Sequence, residues 1–198
     1  MRSAQLALTL GFLGLGLAAQ AGTGPTIPKN VDANPTVLKL VIQDQWDRGS
    51  DMFGSRKPAG MAPMADMAKR DLEREAAVRA LLAQGELRSG PDYYFAALIM
   101  QHSPDADGIL LAHVLSVKAV AAGDQDGLWM AAATLDRYLI DLKQPQVFGT
   151  QFSQPLGKSA TMEPYNRSAL SDQVRALLHV PTLSEQAAQL ASMNARHH

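Results

Sequence analysis

GLWMAAATLDRYLIDLKQPQVFGTQF, residues 127–152, is the stretch on which the reading of this chain turns. Its first half is apolar enough to be a packed helix, predicted over residues 127–142 with Asp126 as cap. Pro145 ends the pattern, because proline lacks an N–H and clashes with the preceding turn. Gln144, Gln146, Gly149, Thr150 and Gln151 follow at once. Inside the apolar half sits an acid–base pair, Asp136-Arg137. Residues three and four apart share a helix face, so Asp136 is surrounded by Ala132, Ala133, Leu139 and Ile140. A carboxylate in that position must be paired or hydrogen-bonded, since burying it alone is costly. Arg137 lies about 100° further round the helix. It can reach Asp141 on its own helix or turn toward the loop.

The same signals, read outward, give the other helices. Asn34-Pro35 marks a start, with Val37, Leu38, Val41, Ile42 and Trp46 as the apolar face of a helix ending near Arg48. Residues 49–66 read as an irregular connection. A charged helix is expected over 67–84, closed by Gly85. Gly90-Pro91-Asp92 opens a third helix with the body YYFAALIMQH. Ser103-Pro104 both ends it and begins a fourth, which runs to Ala122 before Gly123. Residues 143–163 form a long loop whose Phe148 and Phe152 argue for order, and loops of that length are functional or disordered. Residues 165–179 are expected to be helical, and Thr182 with Glu185 makes a capping box for a last helix. No alternating strand pattern stands out. The fold class is all-α: a single domain of six to seven helices over residues 35–193. Stacked helical pairs are one arrangement its Ala-rich faces would suit, although no fixed repeat period is present.

The 198 residues are 46% hydrophobic and 19% charged, with a formal net charge of -1. Neither the basic footprint of a nucleic-acid binder nor a polybasic membrane patch is present. The absence of cysteine rules out disulfides, a thiol nucleophile and thiolate ligands. Arg2, the apolar run Leu6 to Ala19 and the small-x-small Ala19-Gln20-Ala21 follow the order of a secretory signal peptide, residues 1–21. A linker, 22–34, follows. The expected product is exported, periplasmic or secreted, with no stable membrane insertion after cleavage.

Three residues are candidates for catalysis: His102, His113 and Asp136. Arg137, Gln144, Gln146, Thr150 and Gln151 are candidates for binding. The two histidines and Asp136 are acceptable ligands for a divalent ion, but their spacing matches no metal motif, and no metal or cofactor is predicted. A His–Asp pair can serve as general base for hydrolysis, with Thr150 or water as nucleophile. An arginine beside an amide-rich loop can grip a carboxylate-bearing peptide or sugar acid. Met52, Met61, Met64 and Met67 would suit Cu(I), although methionines that fill gaps are the commoner case. The preferred reading is a binding module for a small molecule, peptide or protein. A hydrolase, metal-assisted or not, is the alternative.

GPDYYFAALIMQH, then AHVL, LWMAAATLDRYL and PQVFGTQF, resemble in their order a family of bacterial helical domains for which no activity is established. The resemblance covers residues 46–152. It includes Asp47-Arg48 in the first helix and Gln101-His102, supports the choice of motifs and supplies no reaction; Asp47 and Arg48 join the binding candidates. A glycine often follows that histidine in the family, where this chain has Ser103.

Overall fold

The computed structural model describes residues 31–50, 52 and 61–195. The expected signal peptide and His197-His198 lie outside them. The most buried helix is α3, Gly90–Met100. Its Ser89 and Asp92 form a reciprocal capping box, and Phe95 to Met100 are all buried. A helix apolar on every side belongs at the centre, and α3 touches α1, α2, α4 and α5.

Helix α1, Pro35–Asp47, is capped by Asn34, whose side chain accepts from the Thr36 amide at 2.8 Å. Helix α2 spans Met64–Ala83, three residues earlier than the sequence suggested. Its first turn closes through the Met67 amide on the Pro63 carbonyl, at 3.0 Å. Met67 is therefore a buried helical residue, while Met61 and Met64 are exposed, so the methionines do not form one linker cluster.

Helix α4, Ala106–Ala121, starts later than expected. Asp105 caps it by accepting from the Gly108 amide at 2.8 Å, which leaves Ser103-Pro104 in the connection. Helix α5, Gly127–Asp141, matches its expected span, although Asp126 gives no side-chain cap. The α4–α5 pair is close: a Cβ on Gly127 would lie 2.6 Å from the Ser116 carbonyl oxygen.

The sixth helix is a correction. Only Asp172–Leu177, α6, is helical within the expected 165–179 span. Residues 165 and 166 are instead paired with the loop. The Gln146 amide donates to Pro164 O at 3.1 Å, and the Asn166 amide to Gln146 O at 2.9 Å. Those bonds fix an extended backbone that a helix start cannot share. Helix α7, Leu183–Ala195, follows the Thr182–Glu185 box as read. Isolated bridges join Gln146 to Tyr165 and Ser153 to Thr161, with no sheet among the described residues. No described helix is long and apolar enough to cross a membrane.

The loop between α5 and α6 carries the C-terminal part. Phe148 packs with Ala132 and Val180, and Phe152 with Met162, Tyr165 and the α7 residues Leu183, Leu190 and Met193. The Phe148 carbonyl accepts from the buried Arg175 guanidinium, from Tyr165 Oη at 3.2 Å and from Gln186 Nε2 at 2.7 Å. Gly149 has φ +75°, and a Cβ there would lie 2.5 Å from the Tyr165 ring. Gly157, at φ +72°, has nothing within 4 Å of a built Cβ. Replacing each with alanine separates backbone strain from collision. Urea unfolding should show about 1 kcal/mol lost in Gly157→Ala and roughly 2 kcal/mol or more beyond that in Gly149→Ala.

Candidate functional site

Asp136 and Arg137 face different surroundings. The Asp136 side chain is fully buried and takes its hydrogen bonds from the loop. Its Oδ1 accepts from the amides of Val147 and Phe148, at 2.7 and 2.9 Å. Its Oδ2 accepts from the amide and the hydroxyl of Thr150, at 2.9 and 2.8 Å. Four donors satisfy the carboxylate and leave it nothing to offer a ligand. Gln146 plays a matching part. Its amide donates to Gln151 O and Met162 O and accepts from the Gln151 amide, closing the loop on itself.

Arg137 turns away from its helical neighbour Asp141 and reaches the end of α3. Its Nη1 donates to Gln101 O at 2.8 Å, and its Nε and Nη2 to Gln151 Oε1, both at 3.3 Å. Among the described residues it makes no ion pair. Burial, with the nearby Arg48 cation, pushes its pKa down to about 10, while Asp141 pulls the other way.

Arg137 lines a cavity of about 500 Å³ between α2, the α3–α4 connection, α5 and the loop. Gln101, His102, Arg48, Gln146 and Gln151 join it on the polar side. Met64, Met67, Leu72, Ile109 and Phe152 form an apolar side. The His102 side chain is only 9% exposed, with Nε2 3.6 Å from Asp44 Oδ2. Neither ring nitrogen has a hydrogen-bond partner among the described residues. Burial holds its pKa well below the usual range, reinforced by Arg48, Arg137 and Arg74. The imidazole is neutral.

Behind His102, α1 and α2 are riveted by alternating charges. Arg48 binds Asp44 at 2.7 Å and Asp71 at 2.8 Å. Arg74 binds Asp71 and Asp47, both at 2.8 Å, and Arg70 binds Asp47 at 2.7 Å. Asp44 is fully buried, and burial pushes its pKa up from 3.8 to about 7 against the pull of Arg48 and Arg74.

The sequence candidates therefore separate. Arg48, His102, Arg137, Gln146 and Gln151 meet at the cavity. Asp47 stays inside the ion-pair lattice. Thr150 spends its hydroxyl on Asp136. Gln144 is exposed at the end of α5. His113 lies between α4 and α5, its Nδ1 3.0 Å from Ala131 O, and is no part of the cavity wall. His102, His113 and Asp136 do not converge as a ligand set. No described group of three or more His, Asp or Glu residues is arranged to hold a metal ion.

Asp44, Asp71, Arg74 and Gln101 were not among the sequence candidates. A signal for Asp44 was present: it continues the Val37–Val41 stripe of α1 at helical spacing, so it had to be buried.

No protein-family model, curated protein or solved structure matches this chain. The resemblance in motif order stands on those motifs alone.

Two substitutions test this electrostatic reading. Asp136→Asn presents an N–H₂ where the loop also presents donors. It should cost about 3 kcal/mol in urea unfolding and speed amide exchange at residues 147–150. Asp44 has a folded pKa above its unfolded one, so folding takes up a proton. Its stabilising contribution is complete below pH 3.8 and is lost as pH rises to about 7. Wild-type stability measured relative to Asp44→Asn should fall across that window and level off above it.

Proposed function

We propose that the protein is an exported binding module whose ligand presents an anionic group to Arg137. One observation carries the reading. Arg137 is a half-buried cation at a cavity wall whose hydrogen-bond partners among the described residues, a carbonyl and an amide oxygen, are both uncharged. Arginine has five N–H donors, of which three are used in these bonds, leaving two. A desolvated cation without a counter-ion is costly, and an incoming anion offsets that cost. The cavity, about 500 Å³, lies in the usual range for small-molecule sites. Export rests on the signal-peptide order of residues 1–21.

A hydrolase is a second reading, favoured by the unpartnered His102 imidazole with Asp44 behind it, 3.6 Å away. Such a pair can orient a general base. Binding is the stronger reading because three guanidiniums and burial make this imidazole a weak base.

Arg137→Met is the direct test. The loss of an uncompensated buried charge offsets the loss of its neutral hydrogen bonds. Its stability should stay within about 1 kcal/mol of wild type. The rise in Tm that millimolar acetate gives the wild type should vanish in the variant. A loss of more than about 3 kcal/mol, with the acetate effect intact, would mean that Arg137 is only a structural tie.

A further inference from the structure

The cavity lining holds two kinds of side chain. Arg137, half-buried, and His102, whose side chain is 9% exposed, supply polar groups beside Gln101 and Gln151. Met67, Ile109 and Phe152 are buried apolar walls, and Leu72 is an apolar wall 54% exposed. Arg48 is already held by Asp44 and Asp71, and His102 is neutral. Among the described residues Arg137 makes no ion pair, so it has room for one negative charge. The acids on the wall do not change this. Asp71 is tied to Arg48 and Arg74, Glu163 is paired with Arg167 at 2.6 Å, and Asp141 is exposed.

We propose that the ligand is an amphipathic monocarboxylic acid, its carboxylate on Arg137 and His102 and its hydrocarbon body against Met67, Ile109, Phe152 and Leu72. This rests on reading Arg137 as the counter-ion of a bound anion. The two remaining N–H groups of Arg137 and one ring N–H of His102 supply the donors a carboxylate accepts. A phosphate monoester carries a second charge at neutral pH, for which the described cavity lining has no second cation outside an ion pair.

Calorimetric titration with straight-chain monocarboxylates from acetate to octanoate tests the assignment, with matched alcohols and alkyl phosphates as comparison arms. Affinity should rise about fourfold per methylene, with each acid binding tighter than its alcohol and its alkyl phosphate. Arg137→Met should abolish binding across the acid series. Leu72→Asn, at a position exposed enough to leave folding intact, should weaken octanoate binding more than acetate binding. Acid binding that is indifferent to chain length would overturn the amphipathic ligand while leaving the anion site standing. Alkyl phosphates binding more tightly would overturn the carboxylate head. If no acid or phosphate of any length binds, and Arg137→Met is strongly destabilised, both this inference and the anion-site reading fall.

Discussion

One carboxylate organises the C-terminal half of this molecule. Asp136 accepts three backbone amides and a hydroxyl from residues 147–150, and without them that turn would bury unpaired N–H groups. The turn it holds offers the Phe148 carbonyl on its other side, where Arg175, Tyr165 and Gln186 converge. The Phe148 peptide unit thus ties α5 to α6 and α7: its N–H goes to one helix and its C=O to side chains from the segments that follow. The loop behaves as a core element although it has no repeating secondary structure.

The opposite side of the cavity is built differently. There α1 and α2 meet through arginines and aspartates in alternation, with Asp44 buried at the inner end. Such a lattice is a poor source of net stability, because desolvation cancels much of the attraction. Its geometric effect is clearer. It fixes Arg48 and Asp44 against His102 before any ligand arrives, so the cavity floor is preorganised in position.

The helices were legible because their ends carry side-chain chemistry. Asn34-Pro35 and Thr182–Glu185 act where the sequence places them, and Gly90-Pro91-Asp92 opens α3 as read. The buried α3 could be read from its continuous apolar run. Residues 165–170 were not legible, because what keeps them from helix is pairing with Gln146, nearly twenty positions away. The site was half legible. That Asp136 needed partners followed from its apolar neighbours, but those partners are mostly backbone amides, which no side-chain pattern announces. Asp44 and Asp71 were passed over because acids in charged helices ordinarily face water, although the burial of Asp44 followed from its place on the α1 stripe.

The adjacency of Asp136 and Arg137 carries a more general consequence. Asp136 is buried and Arg137 half-buried, both are charged, and they are consecutive, so charge and place in the sequence cannot tell a structural group from a ligand-facing one. Remaining hydrogen-bonding capacity can. Asp136 has its lone pairs matched by donors and an environment closed around it. Arg137, a step of about 100° round the same helix, keeps two donors and a full positive charge facing a cavity. His113 sorts with the first kind through its bond to Ala131, and His102 with the second, because neither of its ring nitrogens is bonded. The helix thus uses its rotation to give neighbouring residues separate tasks: one carboxylate holds the loop that forms a wall of the cavity, and the next side chain presents the charge that the cavity encloses.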